Sequence, residues 1–108
     1  MRKLFSFIVL SALTTSGFAK GDAKLGKTKA ITCAACHGQN GISLIPTYPN
    51  LACQKSAYLV KQMKDFKSGK RKDPIMAPLV KALSDKDFEN IAAYYETLPS
   101  CAAFNKTK

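Results

Sequence analysis

The stretch Cys33-Ala34-Ala35-Cys36-His37 constrains this chain more than any other five residues. Cysteines at i and i+3 project from one side of a helical turn, so both thiols can reach one edge of a planar ligand. A histidine directly after the second cysteine completes the pattern of covalent haem attachment. Two thioether bonds form to the porphyrin vinyl groups, and the imidazole is carried over the iron as proximal ligand. Other readings lack their remaining parts. Tetrahedral zinc needs a second ligand pair, yet Cys53 and Cys101 stand alone and His37 is the single histidine. A thioredoxin-like dithiol needs a strand before it, and no period-two alternation precedes Cys33. A Cys33–Cys36 disulfide would leave His37 without a task.

The N-terminus supplies a fitting address. Met1-Arg2-Lys3 is a basic start, and Leu4 to Leu13 is an apolar run of about ten residues. Gly17-Phe18-Ala19 places small residues where a signal peptidase cuts. Residues 1–19 therefore read as a cleaved secretory signal peptide. A membrane-spanning helix needs about twenty apolar residues, so the mature chain, residues 20–108, is expected to carry no transmembrane anchor. The destination is the periplasm, an oxidising space.

Seventeen basic residues face seven acidic ones, a formal net charge of +10. Loss of Arg2 and Lys3 with the signal leaves +8. Basic residues are not interleaved with aromatics, so nucleic acid is not the expected partner. An acidic protein face or an anionic membrane surface suits an exported cation better. The mature length supports one domain, of a size that usually needs a staple. A buried, covalently tethered haem would be one.

Three helical stretches follow from periodicity and punctuation. The first runs from about Asp22, a good N-cap, towards Cys36. Its Gly26 and Ala30 form a small-residue face, and Gly38 and Gly41 end it. Ile42 to Leu51, with Pro46 and Pro49, reads as an irregular loop. The second stretch covers Gln54 to Ser68, with Leu59, Met63 and Phe66 at helical spacing and Gly69 as C-cap. Lys61, Lys64 and Lys67 lie on its solvated side. The third begins with the capping-box-like pair Ser84 and Asp87. Phe88, Ile91, Ala92, Tyr95 and Leu98 form its stripe, and Pro99 closes it. The class is all-α.

Between the last two helices, Pro74 and Pro78 frame Met76 at −2 and +2. Proline disfavours regular helix here, so the segment from Arg71 to Pro78 is expected to be a rigid loop presenting the Met76 thioether. Histidine–methionine ligation is common in electron-carrying haem proteins. The alternative role for Met76 is filling a gap in the core. Met63, its rival as a ligand, lies on an apolar helical stripe.

At this point the chain closely resembles the class I cytochromes c of the small bacterial periplasmic type. The resemblance runs from Gly21 to Leu98. It rests on Gly21-Asp22-Ala23, Cys33-Ala34-Ala35-Cys36-His37-Gly38, Tyr48-Pro49-Asn50-Leu51-Ala52, Tyr58-Leu59 with Gln62, Phe66 with Gly69, Met76, and the helix up to Leu98. It implies three main helices and loops wrapped around one covalent haem c. Cys33 and Cys36 match the thioether cysteines, His37 the proximal ligand and Met76 the distal one. Pro49 matches a proline whose carbonyl accepts a hydrogen bond from the proximal histidine. The first and last helices cross in this family, which implies that Gly26 and Ala30 face Tyr94 or Tyr95.

The departure from the family is at Cys53, where relatives usually carry glycine, together with Cys101 after the last helix. In an oxidising compartment two leftover cysteines tend to pair, and the family fold brings these two places near each other. Two free thiols or a disulfide-linked dimer are the alternatives.

The expected function is electron transfer without substrate chemistry, hence no catalytic residue. A quinol-oxidising complex or dehydrogenase would be the donor, and an oxidase or reductase with an acidic docking face the acceptor. Lys70-Arg71-Lys72, beside the Met76 loop, is the expected docking cluster. The competing readings are a haem subunit of a periplasmic dehydrogenase, and a haem peroxidase or gas sensor in which Met76 does not bind iron permanently.

Overall fold

The computed structural model describes residues 21–102. The expected signal peptide lies outside them. Among the described residues there are helices and loops but no strand. The helices are α1 (Ala23–Lys29), α2 (Ile31–His37), α3 (Ser56–Ser68), α4 (Met76–Val80) and α5 (Asp85–Glu96), followed by a 3-10 turn, Pro99–Cys101.

Asp22 opens α1, its carboxylate accepting the N–H groups of Lys24 and Leu25 at 2.9 and 3.1 Å. Its own N–H donates to the side-chain oxygen of buried Asn90 on α5 at 2.8 Å. That bond joins the first helix to the last, because α1 crosses α5. Gly26 permits the crossing: a Cβ there would stand 1.8 Å from the Asn90 carbonyl oxygen. The atoms nearest to Gly26 are thus backbone atoms of Asn90 and Ile91. Lys29 and Asp87, 3.6 Å apart, form an ion pair between the same two helices.

The first stretch is not one helix. It turns at buried Ala30 (φ −80°, ψ 0°), which separates α1 from α2. The turn lets α1 lie on α5 while α2 carries its cysteines to another wall of the fold.

Leu59, Val60, Met63 and Phe66 form the buried face of α3, and Gly69 ends the helix with φ +83°. Phe88, Ile91, Ala92 and Tyr95 form that of α5, each at most 2% exposed. Burying side chains of this size is worth about 1.5–3 kcal/mol each. Ser84 and Asp87 form a reciprocal capping box, with Asp87 N–H donating to Ser84 Oγ and Ser84 N–H donating to Asp87. The second and third helices thus follow their sequence signals to within one or two residues.

The segment around Met76 differs from expectation. Met76 to Val80 form a short helix that includes Pro78. Pro78 is the third residue of α4, within the first turn, where N–H groups have no intrahelical partner. Its missing donor therefore breaks nothing.

Cys53 and Cys101 are joined by a disulfide, with Cα atoms 5.3 Å apart across 48 residues of sequence. A cross-link closing a loop of that length is worth about 4 kcal/mol in the chain-entropy account. Cys53 is the sole non-glycine residue with positive φ (+64°) among the described residues. An L side chain in that conformation costs roughly 1–2 kcal/mol. Glycine would meet no such cost at this position.

Candidate functional site

A cavity of about 340 Å³ lies between α2, α3, α4 and α5. Leu59, Met63, Phe66, Val80, Leu83 and Ile91 supply most of its apolar wall. Cys33, Cys36, His37, Pro49 and Met76 also line it. Residues 43 positions apart in sequence, Cys33 and Met76, thus share one space with the histidine.

Each group is held by its local structure. Cys33 and Cys36 lie one turn apart on α2 and take no part in the disulfide. Burial pushes the Cys33 thiol above its usual range. His37, the last residue of α2, is 7% exposed. Its Nδ1 lies 2.7 Å from the Pro49 carbonyl oxygen. An oxygen there can only accept, so Nδ1 carries the proton and the Nε2 lone pair is left for a ligand. Met76 begins α4, where an Asp73 carboxylate oxygen accepts the N–H groups of Ile75 and Met76 at 2.9 and 2.8 Å.

Three contributors were not singled out as part of the site by sequence. Tyr95 lines the cavity, and its hydroxyl is buried with no hydrogen-bond partner among the described residues. Such a group costs about 1–3 kcal/mol if nothing meets it. Burial raises its pKa well above the ordinary tyrosine value, with Cys33 nearby adding to the shift. Arg71 lines the same cavity, its guanidinium 4.5 Å from the Phe66 ring centroid and bonded to Gln62 at 2.7 Å. Arg71 is also exposed, so it borders both the cavity and the surface. Gln62 was quoted only as a point of likeness to relatives. The orphaned hydroxyl, the apolar wall, the paired thiols and the soft nitrogen and sulfur donors together fit a haem.

The family model for cytochrome c matches residues 23–99. The chain belongs to the cytochrome c family. This family binds haem c covalently and transfers electrons, and the all-α architecture is the class I cytochrome c fold. Cytochrome c4 from Pseudomonas aeruginosa is 47% identical over 92 residues, covering 85% of this chain and 46% of that protein. A thiosulfate dehydrogenase electron acceptor from Stutzerimonas stutzeri is 40% identical over 72 residues, covering 66% of this chain and 33% of its own. The crystal structure of reduced recombinant cytochrome c4 from Pseudomonas stutzeri superposes with a TM-score of 0.69 at 41% identity, covering 72% of this chain and 46% of that one. The chain spans about half the length of the cytochrome c4 proteins it matches. No helix among the described residues is long and apolar enough to cross a membrane.

Proposed function

We propose that the protein is a periplasmic electron carrier holding one haem c. When bound, haem c supplies a one-electron couple between ferrous and ferric iron. Cys33 and Cys36 would hold it as thioethers, and His37 Nε2 and Met76 Sδ would bind its iron. The observation that carries the reading is the convergence of Cys33, Cys36, His37 and Met76 on one largely apolar cavity. The single C-x-x-C-H sequence of this chain supports a count of one haem.

The protein's part is positional. The Pro49 carbonyl orients the His37 ring, and Asp73 fixes the turn that carries Met76. Ligands held in this way need not move when the charge of the site changes, and an apolar wall limits the solvent that must reorient. No substrate is transformed, so no catalytic residue is assigned.

An excess of basic residues suits an acidic face on the redox partner. A quinol-oxidising complex or dehydrogenase would donate, and an oxidase or reductase would accept. A second reading, the haem subunit of a dehydrogenase, is favoured by the relative described as a thiosulfate dehydrogenase electron acceptor.

The test is direct. The exported protein should begin near Lys20, retain haem after denaturation and contain one iron per chain. Ferric protein should show the weak near-infrared band of iron–methionine bonding. Haem that extracts into organic solvent would sink the attachment, and a missing band would sink Met76 as ligand. Native size-exclusion of a periplasmic extract separates a free carrier from a subunit.

A further inference from the structure

Beside His37 the cavity wall is formed by the segment from Tyr48 to Cys53, which belongs to no helix or strand. It is tied down at few places. The Pro49 carbonyl oxygen lies 2.7 Å from His37 Nδ1. Leu51 and Ala52 donate to the Gly41 carbonyl at 2.8 and 3.0 Å, and Cys53 donates to the Tyr95 carbonyl at 3.0 Å. The Asn50 side chain accepts from Ser43 N–H at 2.8 Å. Gly41 and Ser43 belong to the same irregular stretch as the segment they hold. Leu51 packs against the core and Pro49 meets His37 of α2, while the ties to the end of α5 are the Cys53–Tyr95 hydrogen bond and the disulfide to Cys101.

The far end of that disulfide is well anchored. Cys101 is fully buried, and Tyr95, Ala92 and Ile91 of α5 are nearly so. Resting on the haem reading above, we propose that the Cys53–Cys101 disulfide positions His37. It fastens the segment to the end of α5, so that the Pro49 carbonyl keeps its hold on the Nδ1 proton. A hydrogen bond at Nδ1 raises the basicity of the opposite nitrogen, and a more basic axial imidazole favours the ferric state. The disulfide thereby lowers the midpoint potential without touching the iron. Cys53 and Cys101 are positioning residues in this account.

Cys53 brings two effects, its cross-link and its left-handed backbone, and they can be separated. Cys53→Gly with Cys101→Ala removes the bond while easing the backbone. Cys53→Ala with Cys101→Ala removes the bond and keeps the strained conformation. The measurement is proton NMR of the ferrous holoprotein, reading the His37 Nδ1–H shift and its solvent exchange, together with the midpoint potential. Both variants should move the Nδ1–H resonance upfield, speed its exchange at least tenfold and raise the potential. If the variants do not mature, wild-type holoprotein treated with a phosphine gives the same comparison, since thioethers survive reduction.

If the disulfide only stabilises the fold, its removal lowers the melting temperature and leaves the native resonance and potential unchanged. That outcome overturns the proposal. A wild-type protein without covalent low-spin haem overturns the functional reading beneath it as well, so the two failures are distinguishable.

Discussion

Asp73 and Met76 are joined across three residues: the carboxylate of the first accepts the backbone N–H of the second at 2.8 Å. This bond, with the one from Ile75, holds the Asp73 carboxyl below the usual carboxylate range. A lowered folded pKa means that the contribution is present above the unfolded value and is lost as pH falls through the folded one. Below about pH 4 the turn should loosen and the iron–methionine band should fade. In Asp73→Ala the band should already be weaker at neutral pH, with a flatter acid limb. An acid profile identical to wild type would remove Asp73 from this role.

Met76 and Met63 both line the cavity, and substitution tells them apart. Met76→Ala should abolish the near-infrared band while haem attachment is unchanged. Met63, buried on α3, should cost about 2–5 kcal/mol as alanine and keep the band. Loss of the band in the Met63 variant alone would reverse the ligand assignment.

Gly26→Ala tests the crossing of α1 and α5. Its methyl would overlap the Asn90 carbonyl, so the helices must separate. Overpacking of this kind costs about 1–3 kcal/mol, and each kcal/mol lowers Tm by about 4–8 °C in a domain of this size. At Gly69 a Cβ would meet open space and only φ +83° opposes it, so Gly69→Ala should lose less. Thermal melts giving the opposite order would count against so close a crossing.

Docking divides the basic cluster. Lys61 and Lys64 pair with Asp65 and Asp85, Lys67 donates to the Leu83 carbonyl, and Arg71 lines the cavity. Lys70 and Lys72 are exposed, as Arg71 is, and do not line the cavity. Electron-transfer rates with the membrane partner should fall as ionic strength rises. Lys72→Glu should blunt that slope with the haem spectrum intact, whereas Arg71→Glu should disturb the spectrum too. A rate indifferent to salt in wild type would mean an apolar contact.

The parts legible in the sequence were those that local rules decide. Ser84 with Asp87, Gly69, the stripe from Phe88 to Tyr95 and the Cys33–His37 run each act within a turn or two of chain. The missed parts depend on position within an element or on a distant neighbour. Pro78 forbids helix in an interior but not in a first turn, and the sequence does not mark where α4 begins. Ala30 is an ordinary helix former, and its turn serves the divergent needs of α1 and α2. The partner of Gly26 is a backbone, which no side-chain pattern announces. Arg71 is the surface charge it was read as, and its place at the cavity was missed because its acceptor Gln62 and its ring Phe66 lie back along α3. Tyr95 sat on an apolar stripe, and only the fold shows that its hydroxyl lacks a partner.

The bond between Asp22 and Asn90 spans 68 residues, which sets an order of events during synthesis. The first helix has no packing partner until the last has been made. Through that interval the Cys33–His37 run is exposed, and its thiols are open to any enzyme that must reach them. Closure then partly buries Cys33 and makes its thiolate harder to form. The Cys33 thiol is therefore easier to ionise in a chain whose first and last helices have not yet met than in the closed fold.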